Sequence, residues 1–156
     1  MIWFDCEQQL RSGRSMEDWR RYLCQLETAG IIYGGVIARQ SSGYVKTNGW
    51  THDEAELSAI RTEMQPGKTA ANRSSDETRF IEVQGEQFAV RLGGAGSGSD
   101  RATLTGICKA ARTSVAAALA VDGTLVVAIG ALSVGDMASA RCIKEVQWIA
   151  DMCGPK

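Results

Sequence analysis

One histidine, two prolines and an aromatic content of only 6% in 156 residues leave this chain with little of the usual catalytic or linker vocabulary. A single histidine excludes the paired-histidine patterns of most zinc sites and of histidine-based acid–base catalysis. The 17 basic and 18 acidic residues are mixed along the sequence and leave a formal charge of -1. That balance excludes a strong general affinity for nucleic acid or for anionic membranes. Five cysteines, Cys6, Cys24, Cys108, Cys142 and Cys153, are odd in number and include no C-x-x-C. Neither a disulfide framework nor a metal site is therefore expected, and a reducing, cytoplasmic setting fits. The opening MIWFDCEQQL lacks the basic start, apolar run and small-residue cleavage site of a signal peptide.

What is present is an ordinary complement of apolar residues, 44%, enough for one core. Residues 114–135, SVAAALAVDGTLVVAIGALSVG, approach the length of a membrane span, but Asp122-Gly123 interrupts them. Two short apolar runs joined by Asp-Gly predict two buried strands and a two-residue type I′ turn. Ser15 with Asp18 predicts a helix start, and Trp19, Tyr22, Leu23 and Leu26 form one apolar face until Gly30. GGVIA (34–38) and GYVKT (43–47) predict a first hairpin, and a capping box from Thr51 to Glu54 opens a second helix bearing Leu57, Ile60 and Met64. RFIEV, FAVRL and RATLTGIC predict further strands, and a last helix is expected from about Asp136 to Cys153. The order helix, two strands, helix, five strands, helix is α+β, with an antiparallel sheet flanked by helices and no internal repeat.

Candidate chemistry is sparse. GGAGSGS is followed by a strand where a dinucleotide site needs a helix, so it reads as a hairpin tip, and PGKT lacks the glycine five residues upstream that a phosphate loop requires. His52 is the sole candidate base for a nucleophilic Cys108 or Cys142, but it falls at the start of a capped helix, where a solvated polar residue is expected anyway. With no paired carboxylates and no metal spacing, a binding protein is expected rather than an enzyme, with no cofactor.

The aromatic residues admit two readings. On the last helix the core stripe is Cys142, Val146, Ile149 and Cys153, and Arg141, Glu145, Trp148 and Met152 form a neighbouring ridge. Trp148, like Trp19 and Tyr22, therefore either seals the core's edge or belongs to a surface platform.

Order and spacing over residues 18–154 resemble profilin, the small actin-monomer-binding family. The likeness runs through Trp19-x-x-Tyr22, GGVIARQSSGYV, Pro66-Gly67, IEVQGEQFAVRL and, most specifically, GTLVVAIGALSVGDMASARCIKEVQWI. It implies an amino-terminal extension at 1–17 and a domain at 18–156. Its sheet would have about seven antiparallel strands, with both terminal helices on one face and a shorter helix on the other. The resemblance further implies binding of monomeric actin, faster actin nucleotide exchange and a cytoskeletal location. The residues that match for actin are Arg79, Gln87, Arg91, Lys109, Arg112, Asp136 and Ser139, with Val134 as an apolar contact. Strand alternation separately puts Gln87, Ala89 and Arg91 on one face.

For proline-rich ligands such as those of formins, the resemblance implies a ring-paved groove of Trp19, Tyr22, Tyr44 and Trp148, with Met152 alongside. Phosphoinositide binding, the third property of the family, would fall to Arg20, Arg21 and Arg141. Three features depart from the family pattern: the extension with its own Trp3 and Phe4, Lys46 where the second-strand tryptophan is usual, and the ending CGPK where a ring is usual. A second register, with Trp3 as the family tryptophan and 14–30 as an insertion, is less favoured because it lacks the tyrosine spacing. The alternative of similar architecture is a PAS-like or roadblock-like sensor or dimerisation module without actin binding.

Overall fold

Short runs in which apolar side chains point to both faces build a sheet, and apolar residues three and four apart build helices to close those faces. A computed structural model describes residues 16–39, 43–64, 80–92, 102–120, 123–133, 135 and 137–153. In chain order they form α1 (Met16–Thr28), β1 (Gly34–Ala38), β2 (Tyr44–Lys46), α2 (Glu54–Met64), β3 (Phe80–Val83), β4 (Glu86–Leu92), β5 (Ala102–Cys108), β6 (Thr113–Leu119), β7 (Leu125–Ser133), β8 (Met137–Ala138) and α3 (Ala140–Cys153). The fold is α+β, and the antiparallel sheet runs β2-β1-β7-β6-β5-β4-β3, with β8 paired to β7.

Alternation assigns each face. Val36 and Ala38 of β1, Val115 and Ala117 of β6, and Leu125 and Val127 of β7 meet Leu57, Ile60 and Met64 of α2. Their neighbours Ile37, Ala116, Ala118, Val126 and Ala128 meet Trp19, Leu23 and Leu26 of α1 and Cys142, Val146 and Ile149 of α3. The terminal helices therefore share one face and α2 covers the other. Small residues let the terminal helices seat closely. A Cβ on Gly35 would lie 3.4 Å from Leu23 Cδ2 of α1 and 3.0 Å from the Val127 carbonyl oxygen of the neighbouring strand, and one on Gly130 would lie 3.4 Å from Cys142 Cβ of α3.

The helix ends follow the backbone's unsatisfied groups. At the end of α1, Gly30 has φ +79°, its N–H donates to Glu27 C=O at 3.0 Å, and the Ile31 N–H donates to Leu26 C=O at 3.0 Å. This is a Schellman termination. At the start of α2 the cap is Asp53 rather than Thr51: Asp53 Oδ1 accepts from the N–H groups of Ala55 (3.0 Å) and Glu56 (3.3 Å). A carboxylate next to the helix is a better cap than a hydroxyl two residues earlier. The last helix begins at Ala140 rather than near Asp136, because Met137–Ala138 first pair with β7 and Ser139 then serves as the cap. With that extra strand, the described residues form six strands, not five, between α2 and α3.

The turns redistribute the glycine signals. The β6–β7 hairpin closes with Ala120 N–H to Thr124 C=O (2.8 Å) and Gly123 N–H to Ala120 C=O (2.9 Å), with Gly123 at φ +93°. These bonds define a three-residue connection ending in a left-handed glycine, not the expected two-residue type I′ turn. The two-residue turn with both central residues at positive φ lies at Gln84 (φ 56°) and Gly85 (φ 81°), between the paired Val83 and Glu86. Arg61 of α2 donates to Ala38 C=O at 3.0 Å and to Gly123 C=O, and burial lowers the pKa of its guanidinium. It thereby ties α2 to the ends of two strands.

Candidate functional site

Residues 19 and 22, one turn apart on α1, face residue 148 of α3 across the helix seam. The Trp19 and Tyr22 rings lie 6.3 Å apart edge to face, Trp19 and Trp148 6.1 Å, and Tyr22 and Trp148 5.2 Å. Such inclined contacts are favourable for quadrupolar rings and hold all three in fixed orientation. Trp19 is 2% exposed and Tyr22 5%, whereas Trp148 and Met152 are half-buried and pack against the same core. The Tyr22 hydroxyl donates to Glu145 Oε1 at 2.6 Å.

The structure thus brings Trp19, Tyr22, Trp148 and Met152 together, and leaves Trp148 and Met152 as the accessible members. Tyr44 is not with them. It pairs with Ala38, whose side chain faces α2, and so lies on the other side of the sheet, stacked on His52 with centroids 3.7 Å apart and planes 1° from parallel.

His52 precedes the cap of α2 and is not the solvated side chain the sequence predicts. Its Nε2 lies 2.9 Å from Glu54 Oε2, its ring is covered by Tyr44, and Nδ1 is buried with no hydrogen-bond partner among the described residues. Cys142 lies on the opposite face with Sγ 3.8 Å from the Ala128 carbonyl oxygen, and burial, with Glu145 nearby, pushes its thiol up to about 12. Cys108 is buried, its Sγ 3.9 Å from Glu86 Oε2. Among the described residues no three metal-binding side chains cluster. Nor, among them, is any helix long and apolar enough to cross a membrane; residues 114–135 contribute to β6 and β7.

A second surface arises where the helices stop. Phe88 and Val90 of β4 turn toward α2, so Gln87 and Ala89 turn to the face of α1 and α3, with Gln87 exposed. Glu82 pairs with Gln87 and Phe80 pairs with Ala89. Across the sheet Ala89 pairs with Ile107, and Ile107 with Ser114. The register runs toward Gln87 on β4 and Lys109 beyond β5. Lys109 and Arg112 are exposed on the β5–β6 turn, where Arg112 has φ 57° and donates its N–H to Lys109 C=O at 3.2 Å.

Arg91 sits at the register shift between Val90 and Leu92, where strict alternation ends. Ser139 is committed to the backbone: its Oγ accepts from Cys142 N–H at 3.4 Å, and its N–H donates to Ser114 Oγ at 3.2 Å. Ser114 in turn donates to Ala131 C=O at 3.0 Å, anchoring α3 over β6. Arg79, Val134 and Asp136 lie outside the described residues, as do Ser15, the GGAGSGS and PGKT segments and nearly all of the 1–17 extension. Of the basic residues considered for phosphoinositides, Arg20 pairs with Glu17 and Arg21 with Asp18 at 3.7 Å, while Arg141 is exposed on α3.

Three residues escape a reading of motifs alone. Trp50 fills the α2-side core, Glu145 holds the Tyr22 hydroxyl, and Phe80 is 52% exposed. For Phe80 the signal is legible: buried Ile81 and Val83 force it and Glu82 to the other face. Against known proteins, no family model matches the chain and no curated sequence matches it significantly.

Proposed function

We propose that this protein is a profilin-like binder of monomeric actin that regulates filament assembly, acting without catalysis or a cofactor. The observation that carries the reading is the outer part of the sheet on the α3 face, where β3 and β4 expose Phe80, Glu82 and Gln87 with no described helix over them, while Thr103, Thr105 and Ile107 of β5 are buried. There Gln87 and Ala89 border a turn bearing Lys109 and Arg112, next to the Ser139 cap that fixes the start of α3. The cations of Lys109 and Arg112 and the carboxylate of exposed Glu82, paired with Gln87, give this surface charges of both signs, which would orient a partner of complementary pattern and speed its association. The profilin resemblance supplies the identity of that partner and the consequence, a loosened nucleotide cleft and delivery of monomers to growing ends.

Proline-rich segments such as those of formins are the second ligand in this reading. Trp148 and Met152 would offer the contact, while Trp19 and Tyr22 back them from beneath. Rings held against one another at steep angles are rigid supports for a preformed polyproline helix. The decisive test is actin polymerisation with the protein in excess, together with exchange of actin-bound nucleotide. Suppressed nucleation and faster exchange are expected; unchanged kinetics in both would remove the actin reading.

A further inference from the structure

The surface proposed for actin has a difficulty in physical terms, since Gln87, Lys109 and Arg112 are polar, and Ser139 is already engaged as a helix cap. Exposed charges orient a partner and speed its approach, but tight binding is concentrated in a few apolar or aromatic side chains buried at the contact. An apolar anchor is needed beside them. Among the described residues the large hydrophobic side chains that remain exposed are Tyr33, Tyr44 and Phe80. Tyr44 faces the α2 side, and Tyr33 precedes β1, where its N–H donates to Ile129 C=O of β7, several strands away from β4. Of the three, Phe80 is the one beside Gln87: it lies on the strand paired with β4, and on the same face. Its cross-strand partner is Ala89, a side chain small enough to leave the ring standing clear, and the neighbouring Ile81 and Val83 are committed to the core behind.

We infer that Phe80 is the apolar anchor of the actin contact, seated in a hollow of the partner while Glu82, Gln87, Lys109 and Arg112 form the polar rim. This inference rests on the actin reading above. It places the centre of the contact on the outermost strands, β3 and β4, rather than on α3. Phenylalanine has no polar atom to compensate its exposure, so covering the ring is favourable for any partner whose surface accommodates it.

The test compares Phe80→Ala and Phe80→Leu with the parent, measuring monomeric-actin affinity, melting temperature and hydrodynamic size. Phe80→Ala should weaken actin binding about tenfold or more. Phe80→Leu should retain most of the affinity, and neither change should lower the melting temperature appreciably, because the ring is half in solvent. Parent and Phe80→Ala binding actin equally well would overturn the anchor while leaving the actin reading intact. A parent that binds no actin would overturn both. A parent dimer that Phe80→Ala converts to monomer would also overturn the inference, showing that a second copy of the chain covers the ring.

Discussion

The Tyr22 hydroxyl reaches Glu145 Oε1 at 2.6 Å and so fastens α1 to α3 across a separation of 123 residues. Beside it the Trp19 and Trp148 rings close over the same seam. Hydrogen bonds to a charged acceptor contribute about 1.5–3 kcal/mol. Tyr22→Phe should therefore destabilise the fold by about that amount, measured by urea unfolding. Glu145→Gln, which keeps an acceptor oxygen, should cost less. Equal costs for the two would mean that the bond depends wholly on the carboxylate charge, and a negligible cost for Tyr22→Phe would mean that ring packing alone carries the joint.

Trp148 touches both partner rings yet remains half-buried. Trp148→Ala should cost about 2–3 kcal/mol, less than the ~3–5 kcal/mol of a fully enclosed aromatic residue. If this ring is the accessible face of a proline-rich-peptide site, such a peptide should change the parent's tryptophan emission saturably, and the variant should lose that response. An unresponsive parent with a costly Trp148→Ala would assign the cluster to stability alone.

Gln84 holds a left-handed conformation without being glycine, and its carboxamide accepts from Thr51 N–H and donates to Thr51 C=O, both at 2.7 Å. The side chain thus acts as a substitute strand edge for the segment leading into α2. Gln84→Ala keeps the strained backbone and loses both bonds, an expected cost of about 2 kcal/mol. Gln84→Gly relieves the strain, worth about 1–2 kcal/mol, and should be the milder variant. Chemical denaturation that ranks them the other way would show that the backbone at 84 is unstrained.

Burial, then Glu145, raises the Cys142 thiol to about 12. At neutral pH it should resist thiol reagents without denaturant. An unfolded thiol ionises near pH 9 and the folded one near 12, so the folded state holds the extra proton between them. Cys142 therefore adds stability that is fully present below about pH 9 and is lost as pH rises toward 12. Cys142→Ala should flatten that part of the stability–pH curve, and an identical alkaline slope in both proteins would contradict the raised pKa.

Much of the architecture is legible in the sequence because period and burial agree. Ile81 and Val83 alternate to one face, Leu57, Ile60 and Met64 recur at helical spacing, and Gly30 ends α1 where a left-handed residue is needed. Local signals mislead where longer-range partners decide. Asp-Gly at 122–123 has the composition of the tight turn, but the register of β6 on β7 leaves a longer connection. Gln84 takes the tight turn because Thr51 and Glu56 hold its side chain and backbone there. Tyr44 cannot be separated from the rings of the terminal helices by sequence alone, because a one-residue choice of strand face is invisible without the partner strand; pairing to Ala38 settles it. The Tyr22–Glu145 contact is similarly out of reach, since no sequence spacing relates two residues brought together by a whole fold.

Because β1 lies between β2 and β7, the first hairpin completes its hydrogen bonding only when a strand from late in the sequence arrives. During synthesis, α1 and β1–β2 would emerge with Val36 and Ile37 paired to β2 on one side only, and the other edge of β1 open until β7 is available. The β5–β6–β7 meander, joined by short turns, can form without that wait. Assembly in which a local meander recruits an early, dormant hairpin has a high contact order and is slow by that measure. Until β7 arrives, the open edge of β1 is exposed to proteases and to pairing with other chains.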